Sequence, residues 1–110
     1  MASEQFQRVR SEFVEKARRV AEDIAAKHAA DVDKNARFPA EAVEALKKER
    51  LLGIAIPEEL GGAGASVSEV AEICSVLAQA CATTGMVYAM HQIQVLCILR
   101  HHEKSAFSNP

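Results

Sequence analysis

Apolar and polar positions along this chain recur with the period of helices. Between Glu4 and Asn35 the apolar residues are Phe6, Val9, Phe13, Ala17, Val20, Ala21, Ile24, Ala25 and Val32, with His28 on the same stripe. Steps of three and four dominate, which predicts one long amphipathic helix over about residues 4–34. Glu12–Lys16 and Glu15–Arg19 stand on its outward side as acid-before-base pairs, worth about 0.2–0.5 kcal/mol each. Asp31, Asp33 and Asn35 mark fraying and a turn. Pro39 starts a second helix running to about residue 52, with Ala42, Val43 and Leu46 inward and Glu44, Lys47 and Lys48 outward. It is expected to stop near Gly53. Ile54-Ala55-Ile56 then reads as a short buried extended piece, and Gly61, Gly62 and Gly64 supply positive-φ freedom for a sharp reversal.

Ser66 and Glu69 have capping-box spacing ahead of a periodic run, Val67, Val70, Ala71, Cys74, Leu77, Ala78 and Cys81. This predicts a third helix over about 66–82, broken by Thr83-Thr84-Gly85. The fourth, about 86–100, differs in kind, because only His91, Gln92 and Gln94 interrupt it before Arg100. A helix apolar on all sides is central or membrane-embedded. Its apolar run of about fourteen residues is short of the roughly 20 needed to cross a bilayer, which favours a buried core helix. Three modest partner helices cover only part of such a circumference, so the remainder calls for another domain or subunit. The expected fold class is all-α, with four or five helices packed as an up-and-down, bundle-like single domain.

Composition sharpens this picture. Hydrophobic residues make up 49% but aromatics only 5%, with no Trp, so the core is aliphatic. A net charge of -2 gives no strong global attraction to nucleic acid or an anionic membrane. Residues 1–50 carry 11 Lys/Arg against 10 Asp/Glu, and residues 51–110 carry 2 against 5, so the second half is the sparsely charged one. Cys74, Cys81 and Cys97 form no CxxC pair. The first two lie roughly 10 Å apart along one helix, too far to bridge. They read as small buried hydrophobes in a reducing compartment. Met1-Ala2-Ser3-Glu4-Gln5 has neither a secretory layout nor the acid-poor character of a mitochondrial presequence, which makes the cytoplasm the default expectation.

Candidate chemistry is sparse. Gly61-Gly62-Ala63-Gly64 lacks the GxGxxG or Lys-Ser/Thr context of a phosphate loop and reads as an interhelical turn. His91, His101 and His102 offer no i,i+4 pair, so no metal is expected. Arg100, His101 and His102 suit the negative end of the fourth helix. Thr83-Thr84 and His91 are about two helical turns apart and form no nucleophile–base pair. Glu69 and Glu72 fall on the polar face of the third helix, away from any apolar cleft that would tune them for acid–base work. The polar residues that stand out are His91, Gln92 and Gln94. Buried, each must be hydrogen-bonded or line a wet cavity. Met86 and Met90, four apart with Ile93 close by, would make an adaptable apolar wall.

The stretch Arg37-Phe38-Pro39 through Leu51-Leu52-Gly53-Ile54-Ala55-Ile56-Pro57-Glu58-Glu59-Leu60-Gly61-Gly62 resembles the N-terminal helical domain of the acyl-CoA dehydrogenase family, where an FP…LLG…PEE-x-GG-x-G pattern recurs. The similarity continues through His91, Cys97-Ile98-Leu99 and His101-His102-Glu103-Lys104, covering about residues 4–107. Cys97 stands where proline is usual and His102 where glycine is usual, which suggests a divergent branch. The resemblance implies a helical domain that packs beside a β-domain and a C-terminal four-helix bundle, neither of which lies in these 110 residues. It implies FAD held by those other parts, often with a neighbouring subunit in a homo-oligomer (dimer or tetramer), and a glutamate base from the bundle. By the same resemblance, Met86, Ala89, Met90 and Ile93 would form part of the wall for the acyl chain of an acyl-CoA substrate, with His91 near its edge. No residue here matches a catalytic or flavin-contacting position. Two alternatives stand beside this reading. One is a flavin monooxygenase of the same fold; the other is a stand-alone helical interaction module docking through its fourth helix.

Overall fold

The computed structural model describes residues 12–101. Four helices carry the architecture: α1 (12–34), α2 (Ala40–Lys48), α3 (Val67–Ala80) and α4 (Ala82–His101), with a single 3-10 turn at Glu58–Leu60 in the loop between α2 and α3. The all-α expectation holds among the described residues. Phe6 and Val9, placed above on the first stripe, lie outside them, as do His102 and the residues after it.

The stripe read on α1 faces inward, with Ala17, Val20, Ala21, Ala25 and Val32 all buried. Midway the helix widens into a π turn, Ala21–Ala25, which packs against both α2 and α3. Such turns are rare and leave backbone groups displaced from the regular ladder. Glu12–Lys16 forms at 3.9 Å, while Glu15 meets Arg18 at 3.8 Å.

Both α1 and α2 end in the same way. Ala36 (φ 48°) and Arg50 (φ 61°) adopt the left-handed conformation one residue past the cap. The amide of Arg37 donates to the Val32 carbonyl and that of Ala36 to Asp33; likewise Leu51 donates to Leu46 and Arg50 to Lys47. These are Schellman closures, in which the buried pair Leu46 and Leu51 supplies the apolar contact that accompanies the motif. The second helix therefore stops at Lys48, not near Gly53. Tertiary burial of Leu51 holds Arg50 in a conformation that favours glycine.

Past α2 the chain turns rather than extends. Ile54 and Ala55 are buried within a run of turns, correcting the expected extended piece. Gly61 and Gly64 have positive φ, but Gly62 does not. Gly62 is needed for space, since a Cβ there would sit 2.1 Å from the Ile56 carbonyl oxygen. The Ser66 cap forms as expected: the Glu69 amide donates to Ser66 Oγ (3.3 Å), and the Ser66 hydroxyl donates to Glu69 Oε1 (3.2 Å). Glu69 is nevertheless buried, not on a polar face. Its side chain folds back over its own helix start.

The junction of α3 and α4 departs most from the expected boundaries. Cys81 alone is extended (φ -155°, ψ 110°), and Thr83, Thr84 and Gly85 are helical. Gly85 faces Ala78 so closely that an added Cβ would lie 2.7 Å from the Ala78 Cβ. Its missing side chain lets α3 and α4 pack as a close antiparallel hairpin. The main core joins Ala17, Val20, Leu46, Leu51, Ile54, Val70, Ile73, Leu77 and Tyr88. A smaller cluster of Ala25, Val32, Ala42 and Cys81 fills the other end.

An ionic clasp closes the α1–α2 corner. Arg37 Nε reaches Asp31 at 2.5 Å and Nη1 reaches Glu41 at 2.7 Å, with His28 Nδ1 at 3.9 Å from Glu41. Hydrogen bonds from Arg37 hold both carboxyls below their ordinary values. A lowered carboxyl favours the folded state above its ordinary value and loses that contribution as the pH falls. We expect wild-type stability to decline as the pH drops below about 4.5 and then 3.8, the ordinary values of Glu41 and Asp31. In Arg37→Ala the acid-sensitive part shrinks, as urea midpoints across pH would show; an unchanged profile would contradict the clasp. Separately, Ala36→Gly should raise unfolding stability by about 0.5–1 kcal/mol, because glycine enters the left-handed region without the Cβ clash. Thermal melts check this, and a lowered midpoint would argue against the closure.

Candidate functional site

Helix α4 presents two unlike faces. Along one, Thr84, Gly85, Tyr88 and Gln92 are buried. Opposite stand Met86 (65% exposed), Met90 (53%) and Ile93 (55%), and Ile98 is exposed as well. The helix is thus not wrapped on all sides among the described residues. As expected, three modest partner helices cover only part of its circumference: its small and polar residues face the domain, and its large apolar ones face outward. Among the described residues it is the one helix long and apolar enough to cross a bilayer, with a mean hydropathy of 1.2. Tyr88, His91 and Gln92 on it, however, are bonded into the helical domain.

Those bonds converge on two backbone carbonyls. The Tyr88 hydroxyl donates to the Leu51 carbonyl at 2.8 Å. Gln92 Nε2 donates to Leu51 at 3.3 Å and to Leu52 at 3.0 Å. His91 Nε2 lies 2.8 Å from the Leu52 carbonyl. A carbonyl only accepts, so Nε2 carries a proton there and donates it to Leu52. The carbonyls lie just past the Schellman closure of α2, where helix ends leave acceptors to be satisfied. Burial holds the Tyr88 phenol neutral well above its ordinary value. Gln92 Oε1, Thr84 Oγ1 and Glu69 Oε2 are buried without a hydrogen-bond partner.

The sequence-predicted wall is divided by this geometry. Met86, Met90 and Ile93 share the outward face, with Ala89 half-buried at its margin. His91 turns the other way. It lines a cleft of about 180 Å³ with Phe38, Val43, Leu46, Leu52, Val87 and Tyr88. A second cleft, about 260 Å³, lies between α1 and α2 beside Arg19, Asp23, Lys48 and Glu49. Both fall below the roughly 300–1,000 Å³ of typical ligand pockets. Sequence reasoning missed Tyr88, whose signal was its place four before Gln92 and four after Thr84. Among the described residues no three His, Cys, Asp or Glu side chains gather to hold a metal. Cys81 is buried and Cys74 half-buried, its thiol pushed up by burial, but Cys97 is exposed, unlike the buried hydrophobe expected.

Residues 8–104 match the N-terminal domain of acyl-CoA dehydrogenases. The chain belongs to the acyl-CoA dehydrogenase family. It is 39% identical over 71 residues to a 3-sulfinopropanoyl-CoA desulfinase of Paraburkholderia xenovorans, covering 64% of this chain and 18% of that protein. It is 38% identical over 88 residues to a probable acyl-CoA dehydrogenase, fadE25, of Mycobacterium leprae (79% and 23%). With the mitochondrial short-chain specific acyl-CoA dehydrogenase of Homo sapiens it shares 38% over 63 residues (57% and 15%). The matched segment spans about a fifth of these relatives' length. No solved structure matches the chain. As a family member of this type, its N-terminal helical domain is recognisable by the Phe38-Pro39 start and the Leu51-Leu52-Gly53 turn that α4 grips.

The grip has a measurable strength. Tyr88→Phe removes one donor while Gln92 still reaches the Leu51 carbonyl, so we expect a loss of about 0.5–1.5 kcal/mol with the fold kept. Tyr88→Phe combined with Gln92→Leu, which leaves the buried Leu51 carbonyl without either donor, should cost about 1–3 kcal/mol. Urea unfolding of both variants tests the order; equal or reversed losses would place the anchor elsewhere.

Proposed function

We propose that this chain is the N-terminal helical part of an FAD-dependent oxidoreductase that dehydrogenates an acyl-CoA thioester between Cα and Cβ. The observation that carries this reading is the outward apolar face of α4, where Met86, Met90 and Ile93 stand exposed on a helix anchored from behind. Unbranched methionine side chains adapt to a flexible apolar ligand, and an apolar face of this kind excludes water from a neighbouring acyl chain. In this reading Met86, Ala89, Met90 and Ile93 form one side of the acyl site. His91, held by Leu52, borders it from the α2 side. The printed names of the relatives differ in reaction but share a CoA thioester, which supports the substrate class.

The described residues do not fit a flavin by themselves: neither cleft approaches its size, and no buried cationic or amide-rich cradle faces one. FAD and the proton-abstracting carboxylate are therefore assigned to further parts of a longer protein. This chain contributes binding and water exclusion, and by itself it is inactive. The complete protein is proposed as a homo-oligomer in the cytoplasm, where Cys74, Cys81 and Cys97 stay thiols.

The test uses the protein that carries this chain together with such parts. Acyl-CoA thioesters of graded length should bleach its bound flavin, and Met90→Trp should shift the preference toward shorter chains by about tenfold in kcat/KM, through lost space. Flavin that no thioester reduces would overturn the reaction. An unchanged length profile in Met90→Trp would remove α4 from the acyl wall.

A further inference from the structure

Apolar side chains stand on every side of α4. Val87, Val95, Leu96 and Leu99 lie on sides other than the one carrying Met86, Met90 and Ile93. Burial of apolar area therefore does not choose one rotational setting of this helix about its axis. Hydrogen bonds to the Leu51 and Leu52 carbonyls do. Tyr88 donates to Leu51 and His91 to Leu52, one carbonyl each, whereas Gln92 Nε2 donates to both, at 3.3 and 3.0 Å. A single bond can act as a pivot; a donor shared by two successive carbonyls fixes the angle. Turning the helix by one residue position, about 100°, would aim Ala89 and Ile93 at those carbonyls, and neither side chain can bond them.

Gln92 adds little to the stability of the fold in doing so. Its Oε1 is buried without a hydrogen-bond partner, which costs about as much as its two donated bonds contribute. Each carbonyl also has a second donor, Tyr88 for Leu51 and His91 for Leu52. A leucine at this position would carry no orphaned oxygen. Resting on the acyl-site reading above, we propose that Gln92 is a positioning residue, which sets the angle at which Met86, Met90 and Ile93 meet the acyl chain. Outward side-chain tips lie about 5–6 Å from a helix axis, so a turn of about 20° carries them by about 2 Å. Misplacements of that size are felt in catalysis. The effect grows with the number of methylenes lying on the wall, so long acyl chains feel it and short ones do not.

The test compares two variants of the flavin-loaded protein that carries this chain, using the longest and shortest acyl-CoA thioesters that wild type accepts. Gln92→Leu should lower kcat/KM for the long thioester about fivefold or more, through KM, and leave the short one within about twofold. Its urea midpoint should stay within about 0.5 M of wild type. Tyr88→Phe should do the opposite: a lower midpoint with the long-to-short ratio kept, because Gln92 still bonds both carbonyls. That ratio cancels any change in the amount of folded enzyme, which is what a merely structural role would alter. Gln79→Glu, exposed on α3, should change neither quantity. Should Gln92→Leu fail to fold, Gln92→Asn, whose amide is too short to reach both carbonyls, carries the same test. A ratio unchanged in the Gln92 variant while Met90→Trp shifts it would overturn the positioning role and leave the acyl wall standing. Ratios unchanged in both would remove the wall as well. An equal loss at both lengths, or a midpoint lowered as far as in Tyr88→Phe, would make Gln92 a structural residue and likewise overturn the proposal.

Discussion

The backbone carbonyls of Leu51 and Leu52 are the point on which this domain turns. They sit where α2 has closed and the chain must reverse, Leu51 in the core and Leu52 half-buried beside it. Tyr88, His91 and Gln92 supply the missing donors from a helix some forty residues further along the chain. Leaving a buried carbonyl bare costs about 1–3 kcal/mol, a large share of the stability of a small domain. The need to satisfy two of them fixes which side of α4 faces in. Once that side is fixed, Gly85 against Ala78 sets the depth of contact, and Met86, Met90 and Ile93 have only the outside left.

The arrangement inverts the ordinary amphipathic rule. A helix normally buries its apolar stripe and wets its polar one. Here the polar side is the anchor and the apolar side is exposed, a combination that marks surfaces used for binding. That inversion ties the fold to function: the hydrogen bonds hold the helix still from behind, so the exposed face is presented on a rigid support. The acyl-site reading draws on this property.

Much of the fold was legible because periodicity reports burial directly. The inward residues of α1, the Ser66 cap and the chain order of four helices all follow from spacing and capping chemistry. Boundaries were less legible where one residue carried the event. Nothing in Arg50 or Ala36 advertises a left-handed conformation, which comes from the closure that Leu51 and Arg37 complete. Gly85 reads as a helix breaker in sequence, yet it serves as a contact point because Ala78 lies against it. The candidate site was legible in part. Its apolar residues were identified by composition, but which way they face depends on partners at Leu51 and Leu52. A backbone acceptor has no sequence signature, so the direction of His91 and the role of Tyr88 emerged only from the folded structure.

Tyr88 is the single tyrosine of a chain without tryptophan, so its ultraviolet titration reports the anchor without interference. Burial holds the phenol neutral beyond its ordinary value of 10, and its hydroxyl donates to the Leu51 carbonyl. Stability from this group is complete below pH 10 and is lost as alkali rises toward the folded value. Absorbance and circular dichroism followed together should show tyrosinate appearing well above pH 10, together with loss of helix. Ionisation near pH 10 with the helices intact would mean that Tyr88 faces solvent, and that α4 is not anchored as described.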